Sequence, residues 1–244
     1  MGIKARRYAD ILAGAPEYVT GRQDEWKAFL TTAARNYKYP YYDQLMIYLQ
    51  RPEATACAEY DFWFDTMHRY VKRGAKGIAL VDNEGDSPKL RYVFDVADTG
   101  ARSNSRPVWL WQMKEEYRNP VMAALERAYG VSRENLSLEA QLEQVAGRLA
   151  ADYWMNYGRQ ISGIVADSFL EEYDEFNIGA AFRKAAQASI AYTLSVRCTE
   201  EAENQFEPED FKDVADFNTR QTAAALGTAV SSISREVFRE IERD

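Results

Sequence analysis

The chain has 244 residues, 46% hydrophobic and 28% charged, which is enough to bury a core as one large domain or two small ones and too apolar for a disordered tail. No apolar run reaches the roughly 20 residues of a membrane span, and no basic start with an apolar core opens the chain, so a soluble protein without a membrane partner is expected. The net charge of −8 argues against a polyanionic partner, yet residues 1–120 hold 18 Lys and Arg against 16 Asp and Glu, while residues 121–244 hold 12 against 22.

In chain order, residues 4–13 read as a short basic helix ended by Gly14-Ala15-Pro16. A second helix starts near Asp24, with Trp26, Phe29, Leu30, Ala33 and Tyr37 on one face. Tyr37-Lys38-Tyr39-Pro40-Tyr41-Tyr42 interrupts it, since Pro40 disfavours helix in the residue before it. Another helix spans about 41–50 and stops at Arg51-Pro52. A short helix is expected over 60–70. Residues 78–82 and 90–96 read as strands, joined by the turn-rich linker 83–88 into a hairpin. A further strand near 108–112 follows the polar loop 100–107.

Beyond residue 117 the pattern is helical. Leu138, Leu142, Val145, Leu149 and Tyr153 mark one helix. Ile161, Ile164, Val165 and Phe169 mark another, then Phe182, Ala186, Ile190, Thr193 and Leu194, then Leu226, Val230, Ile233, Val237 and Ile241. The last stripe still runs at Asp244 without a stop signal, so the chain is expected to continue in a longer parent polypeptide. The fold class expected is α+β: a small antiparallel sheet with surrounding helices over 1–116, then an acidic, all-helical region over 117–244 packed on the first.

Missing chemistry narrows the function. With His68 as the one histidine, the two-His zinc helix, the histidine-rich site of DNA-nicking tyrosine enzymes and a nucleophile-elbow triad are excluded, and there is no phosphate-binding P-loop. Cys57 and Cys198 are too few for a disulfide framework or a zinc site, which fits a reducing cytoplasm. No metal site and no cofactor are expected. The remaining catalytic candidate is a magnesium nuclease using Asp82, Asp86, Asp95 and Asp98, with Lys89 nearby. Turn and strand-end positions explain those acids without catalysis, so a non-enzyme is expected.

Binding chemistry is present. Arg69, Lys72, Arg73 and Lys76 crowd a segment punctuated by Gly74 and Gly77, where backbone amides and cations can hold phosphate. Lys38, Tyr39, Tyr41 and Tyr42 add rings and a cation, the usual means of holding single strands. Tyr37 continues the Trp26 stripe and is assigned to the core. Gln44 and Gln50 can touch bases or backbone. The expectation is that the Gly74–Gly77 cations and the tyrosines share one open face.

These residues fall in a recognisable order: Trp26 and Phe29-Leu30, Tyr42-Asp43-Gln44, residues 50–55 (QRPEAT), Trp63, residues 71–78 (VKRGAKGI) and residues 92–99 (YVFDVADT). Over about 22–112 the chain resembles the N-terminal domain of ArdC-type antirestriction proteins, as found at the front of large polyvalent proteins of conjugative elements and phages. The resemblance implies an α+β single-stranded-DNA-binding domain that protects incoming DNA from host defence, with helicase or methylase domains downstream. Two departures stand out. Asp43 occupies a position where the family often has Asn, and the zinc metalloprotease domain that follows in ArdC proper has no counterpart here. A second expectation is an inhibitor that binds a host defence protein through the acidic run Glu200, Glu201, Glu203, Glu207, Glu209 and Asp210.

Overall fold

Trp26, Phe29, Leu30 and Ala33 share one face of α2 (Gln23–Arg35), and that face is buried in the computed structural model. Residues 3–82, 87–200 and 202–243 are described, the Glu203 side chain excepted; the tip of the expected hairpin with Asp86, and Glu201, lie outside them. α2 follows α1 (Ile3–Thr20) and precedes α3 (Tyr41–Gln50). Pro40 sits in extended backbone at the start of α3, and Arg51, held ahead of Pro52, ends it.

α1 runs well past the stop expected at Gly14-Ala15-Pro16. Leu12, Ala15 and Val19 form a buried stripe that crosses Pro16. A proline inside a helix costs about 3 kcal/mol, while burying a Leu and a Val returns about 1.5–3 kcal/mol each, so burial wins and the helix continues.

The strands are β1 (Cys57–Glu59), β2 (Tyr70–Val71), β3 (Ile78–Asp82), β4 (Lys89–Asp95) and β5 (Thr99–Gly100). β1, β4 and β3 form an antiparallel sheet in that order, with Ile78 opposite Val93 and Leu80 opposite Arg91. The expected hairpin is its β3–β4 pair. β2 and β5 form a separate two-residue ribbon. The short helix expected over 60–70 forms only over 60–66, where Phe62–Thr66 make a π-turn between β1 and β2. Residues 108–112 join no ladder. They cross a cleft instead, where Trp111 Nε1 donates to the Arg197 carbonyl at 2.8 Å.

The second half holds helices and, among its described residues, no strand: α4 (Glu115–Tyr129), α5 (Leu138–Ser162), α6 (Glu175–Cys198), α7 (Ala202–Gln205), a 3-10 stretch (Pro208–Asp216) and α8 (Arg220–Glu242). Gly130, at φ 65, closes α4 in the left-handed conformation. Ser137, Asp174 and Thr219 cap α5, α6 and α8 by accepting amides of their first turns. The helix expected through Ile161 and Phe169 does not form. α5 ends at Ser162, Asp167 turns the chain at φ 64, and Val165 and Leu170 face inward while Phe169 faces water.

α6 is the central helix. It packs against α2, α5, α8 and the 3-10 stretch, and alanines and serines at its contact positions let these neighbours approach. The Ser189 hydroxyl donates back to the Ala185 carbonyl and accepts Trp26 Nε1 at 2.9 Å, so no buried polar atom of that pair is stranded. One hydrophobic core runs from Leu12 through Trp26 and Leu80 to Phe182 and Ile241, with members on both sides of position 116. No described helix is long and apolar enough to cross a membrane.

Candidate nucleic-acid interface

The tyrosine run does not build a stacking platform. Tyr37 and Tyr41 are each 3% exposed. Tyr41 meets Phe29 edge-on at 5.7 Å and lies against Gly227 of α8, where an added Cβ would come within 2.2 Å of its ring. Tyr37 packs on Phe238 at 5.0 Å. Tyr39 is half-buried, its hydroxyl donating to the Cys57 carbonyl at 2.8 Å, and burial raises its pKa. Gln44 is buried beside Asn36. Gln50 clasps β3: its Nε2 donates to the Ala79 carbonyl and its Oε1 accepts the Ala79 amide.

Tyr41 and Gln44 are therefore corrected to interior residues that no strand can touch, and Gln50 to a bracket between α3 and β3. The reason is that α3 packs against α1, α2, α8 and β3 at once. Successive rings on a helix diverge by about 100°, so of Tyr41 and Tyr42 only Tyr42 reaches water. Lys38 is also exposed, 3.6 Å from Glu242.

The cations and a different set of rings come together around the β2–β5 ribbon. In the π-turn Trp63 alone points inward, its Nε1 donating to the Phe94 carbonyl at 2.9 Å. Phe62 and Phe64 on either side are turned out, and Tyr60 and Tyr70 are exposed with them. Tyr60 and Phe64 stack with centroids 5.9 Å apart and planes within 11°. The Arg102 guanidinium lies over Phe64 at 5.0 Å and Tyr70 at 5.9 Å.

Backbone geometry pins this patch. His68 adopts φ 53, a left-handed conformation unusual for a side chain of its size, and its carbonyl accepts Ser105 Oγ at 2.6 Å. The Arg106 amide donates to Met67 at 3.0 Å. Tyr70 lies flat across Gly100, where a Cβ would fall 2.3 Å from its ring. Lys72 follows β2 directly, its amide bonded to the Asp98 carbonyl and its Nζ to the Ala97 carbonyl at 2.8 Å. Gly74, at φ 85, turns the chain, and Arg73 and Lys76 project around it into solvent. Arg69 is half-buried and holds the ribbon through Nε to Thr99 Oγ1 at 2.8 Å. Among the described residues, Arg73, Lys76 and Arg106 make no ion pair. Asp61 and Asp65 are exposed carboxylates of the same segment.

Of the carboxylates weighed for magnesium, Asp95 and Asp98 are bound to the chain itself. Asp95 accepts the amides of Thr55, Ala56 and Ala97, and Asp98 pairs with Arg51. Among the described residues no group of three or more His, Cys, Asp or Glu is placed to hold a metal ion. Asp43 pairs with Arg91 beneath the sheet; burial raises its carboxyl pKa more than the guanidinium lowers it, and its charge does not face solvent. In the acidic run, Glu207 and Asp210 cap the 3-10 stretch, which Phe211 and Val214 anchor in the core. Glu207 and Asp210 thus serve local structure at the start of that stretch.

Tyr60, Phe64, Tyr70, Arg102 and Arg106 were missed in the sequence. The available signal was the pair of arginines in loop 100–107 and three consecutive aromatics at 62–64, which no single helical face could bury together. No family model, curated protein or solved structure matches the chain.

Proposed function

We propose that the chain is a non-catalytic single-stranded-DNA-binding module, serving a mobile element in antirestriction or DNA transfer, within the cytoplasm. The observation that carries this reading is the ring-and-cation patch of Tyr60, Phe64, Tyr70 and Arg102, flanked by Lys72, Arg73, Lys76 and Arg106. Exposed rings offer any base a π-face, and cations beside them neutralise phosphates without reading sequence. A duplex keeps its bases stacked inside, so rings at this surface favour the unpaired strand. The net −8 belongs to the whole chain, whereas local potential governs the encounter, and Arg73, Lys76 and Arg106 beside the rings make no ion pair among the described residues. The resemblance over residues 22–112 supports the biological setting, and helicase or methylase domains of a parent polypeptide are the partners it implies.

Fluorescence anisotropy with a labelled oligo-dT strand and its duplex, at low and moderate salt, tests the reading. The strand should bind better than the duplex, weaken steeply with salt, and lose about tenfold in affinity for each ring removed by Phe64→Ala or Tyr70→Ala. Gly100→Ala, which displaces the Tyr70 ring, should behave like Tyr70→Ala. Absence of binding at low salt, or binding indifferent to these changes, overturns the proposal.

A further inference from the structure

A cleft of about 720 Å³ opens between the two halves of the chain, outside the ring-and-cation patch. Its walls include Arg35, Lys38 and Tyr39 from the end of α2 and beyond, Cys57 from β1, Trp109 and Trp111 from the extended segment, and Arg197 from α6. The volume suits a ligand of nucleotide size, within the usual range of about 300–1,000 Å³.

Three features say what it would take. First, Trp109 is 87% exposed on a segment with no ladder partner, so a large ring stands at the cleft with nothing packed over it. Trp111 beside it is held in place, stacked on Tyr117 at 5.3 Å. Second, Arg35 makes no ion pair or side-chain hydrogen bond among the described residues, although it lines the cleft. Glu242 is shared by Lys38 and Arg197, 3.6 Å from each, and Glu200 is the other carboxylate of the lining, so cations outnumber anions there. Third, Asn36 lines the cleft with a buried Oδ1 that has no hydrogen-bond partner, while its Nδ2 is fixed by the Thr32 and Ala54 carbonyls. An orphaned buried acceptor costs stability unless a ligand donor meets it.

Short stretches of chain link the cleft to the patch. Cys57 lines it at the start of β1, and Tyr60 of the ring cluster lies three residues on, about 10 Å along an extended chain. Arg106 precedes Trp109 by the same interval on the other wall.

Resting on the strand-binding reading above, we propose that this cleft receives one unstacked nucleotide of the bound single strand, its base against Trp109, its phosphate toward Arg35 and Lys38, and an exocyclic amine toward Asn36. Extruded bases are held elsewhere by the same combination of ring faces and edge hydrogen bonds.

The test uses the full chain and an oligonucleotide in which a single abasic site is walked along the strand, with Trp109→Ala and Arg35→Ala as variants. Trp109 is exposed, so its removal leaves the fold intact. One abasic position should weaken binding about tenfold in the wild type and have no further effect in Trp109→Ala. A strand carrying 5-iododeoxyuridine at that position should photocrosslink to the peptide containing Trp109. If both cleft variants bind as the wild type while Phe64→Ala and Tyr70→Ala are weakened, the cleft proposal falls and the patch reading stands. If Trp109→Ala weakens intact and abasic strands equally, Trp109 is an ordinary contact and the nucleotide site is overturned. Absence of strand binding by the wild type overturns both.

Discussion

The helical body and the segment around β2 and β5 use the same aromatic residues to opposite ends. In the body, Trp26, Phe29, Phe182 and Tyr192 are sealed among α2, α6 and the 3-10 stretch. Around the ribbon, Tyr60, Phe62, Phe64 and Tyr70 stay in water, and Trp63 alone is buried. The difference is coverage. A helix surrounded by several others can bury rings on most of its circumference, whereas a two-residue ribbon and a single π-turn have one covered side. Aromatic density therefore marks a binding surface only where the topology leaves a face without neighbours.

The sharpest way to break this comparison is to remove one ring from each region. Trp26→Ala should cost about 3–5 kcal/mol of unfolding free energy in urea titration, because it empties a fully buried site and removes the indole N–H that the Ser189 hydroxyl accepts. The double change Phe64→Ala with Tyr70→Ala should leave stability within about 0.5 kcal/mol, as surface substitutions do, while strand affinity falls by about 1–3 kcal/mol per ring. Comparable losses of stability at the two sites would mean that the ribbon rings are structural.

Gly227→Ala sharpens the reassignment of Tyr41. The new methyl group would meet the Tyr41 ring at the α3–α8 contact, and overpacking of this kind costs about 1–3 kcal/mol. An unchanged thermal midpoint would show that α8 does not close over α3. Tyr41→Phe is the gentler counterpart. Its hydroxyl is buried without a hydrogen-bond partner, so deletion should be neutral or stabilise by up to about 1 kcal/mol, with strand affinity unchanged. Weaker DNA binding by Tyr41→Phe would return that ring to the interface.

The smallest effect concerns the cysteines. Burial, the first cause in each case, pushes Cys57 up to about 12 and Cys198 up to about 12. A raised thiol pKa means less thiolate at a given pH, on the order of one part in ten thousand at pH 8. Iodoacetamide should label neither thiol in the native protein at pH 8 and both in urea, with native labelling rising as pH increases. Prompt native labelling of Cys57 would place its thiol in open solvent at the cleft.

Residue pattern alone determined the α+β class, the β3–β4 hairpin, the bounds of α3 and the apolar stripes of α2, α5, α6 and α8. Period-2 and period-3.6 burial leave a record along the chain, because neighbouring residues in sequence are placed by local geometry. The cationic turn at Gly74–Gly77 was legible for the same reason. What tertiary structure alone decided was which rings face out. Whether Tyr41 is a stacking platform or a core residue depends on α8, nearly 190 residues away, and whether Phe64 is open depends on how loop 101–107 returns to Met67 and His68. Contacts between distant segments set solvent exposure, and no local spacing encodes them.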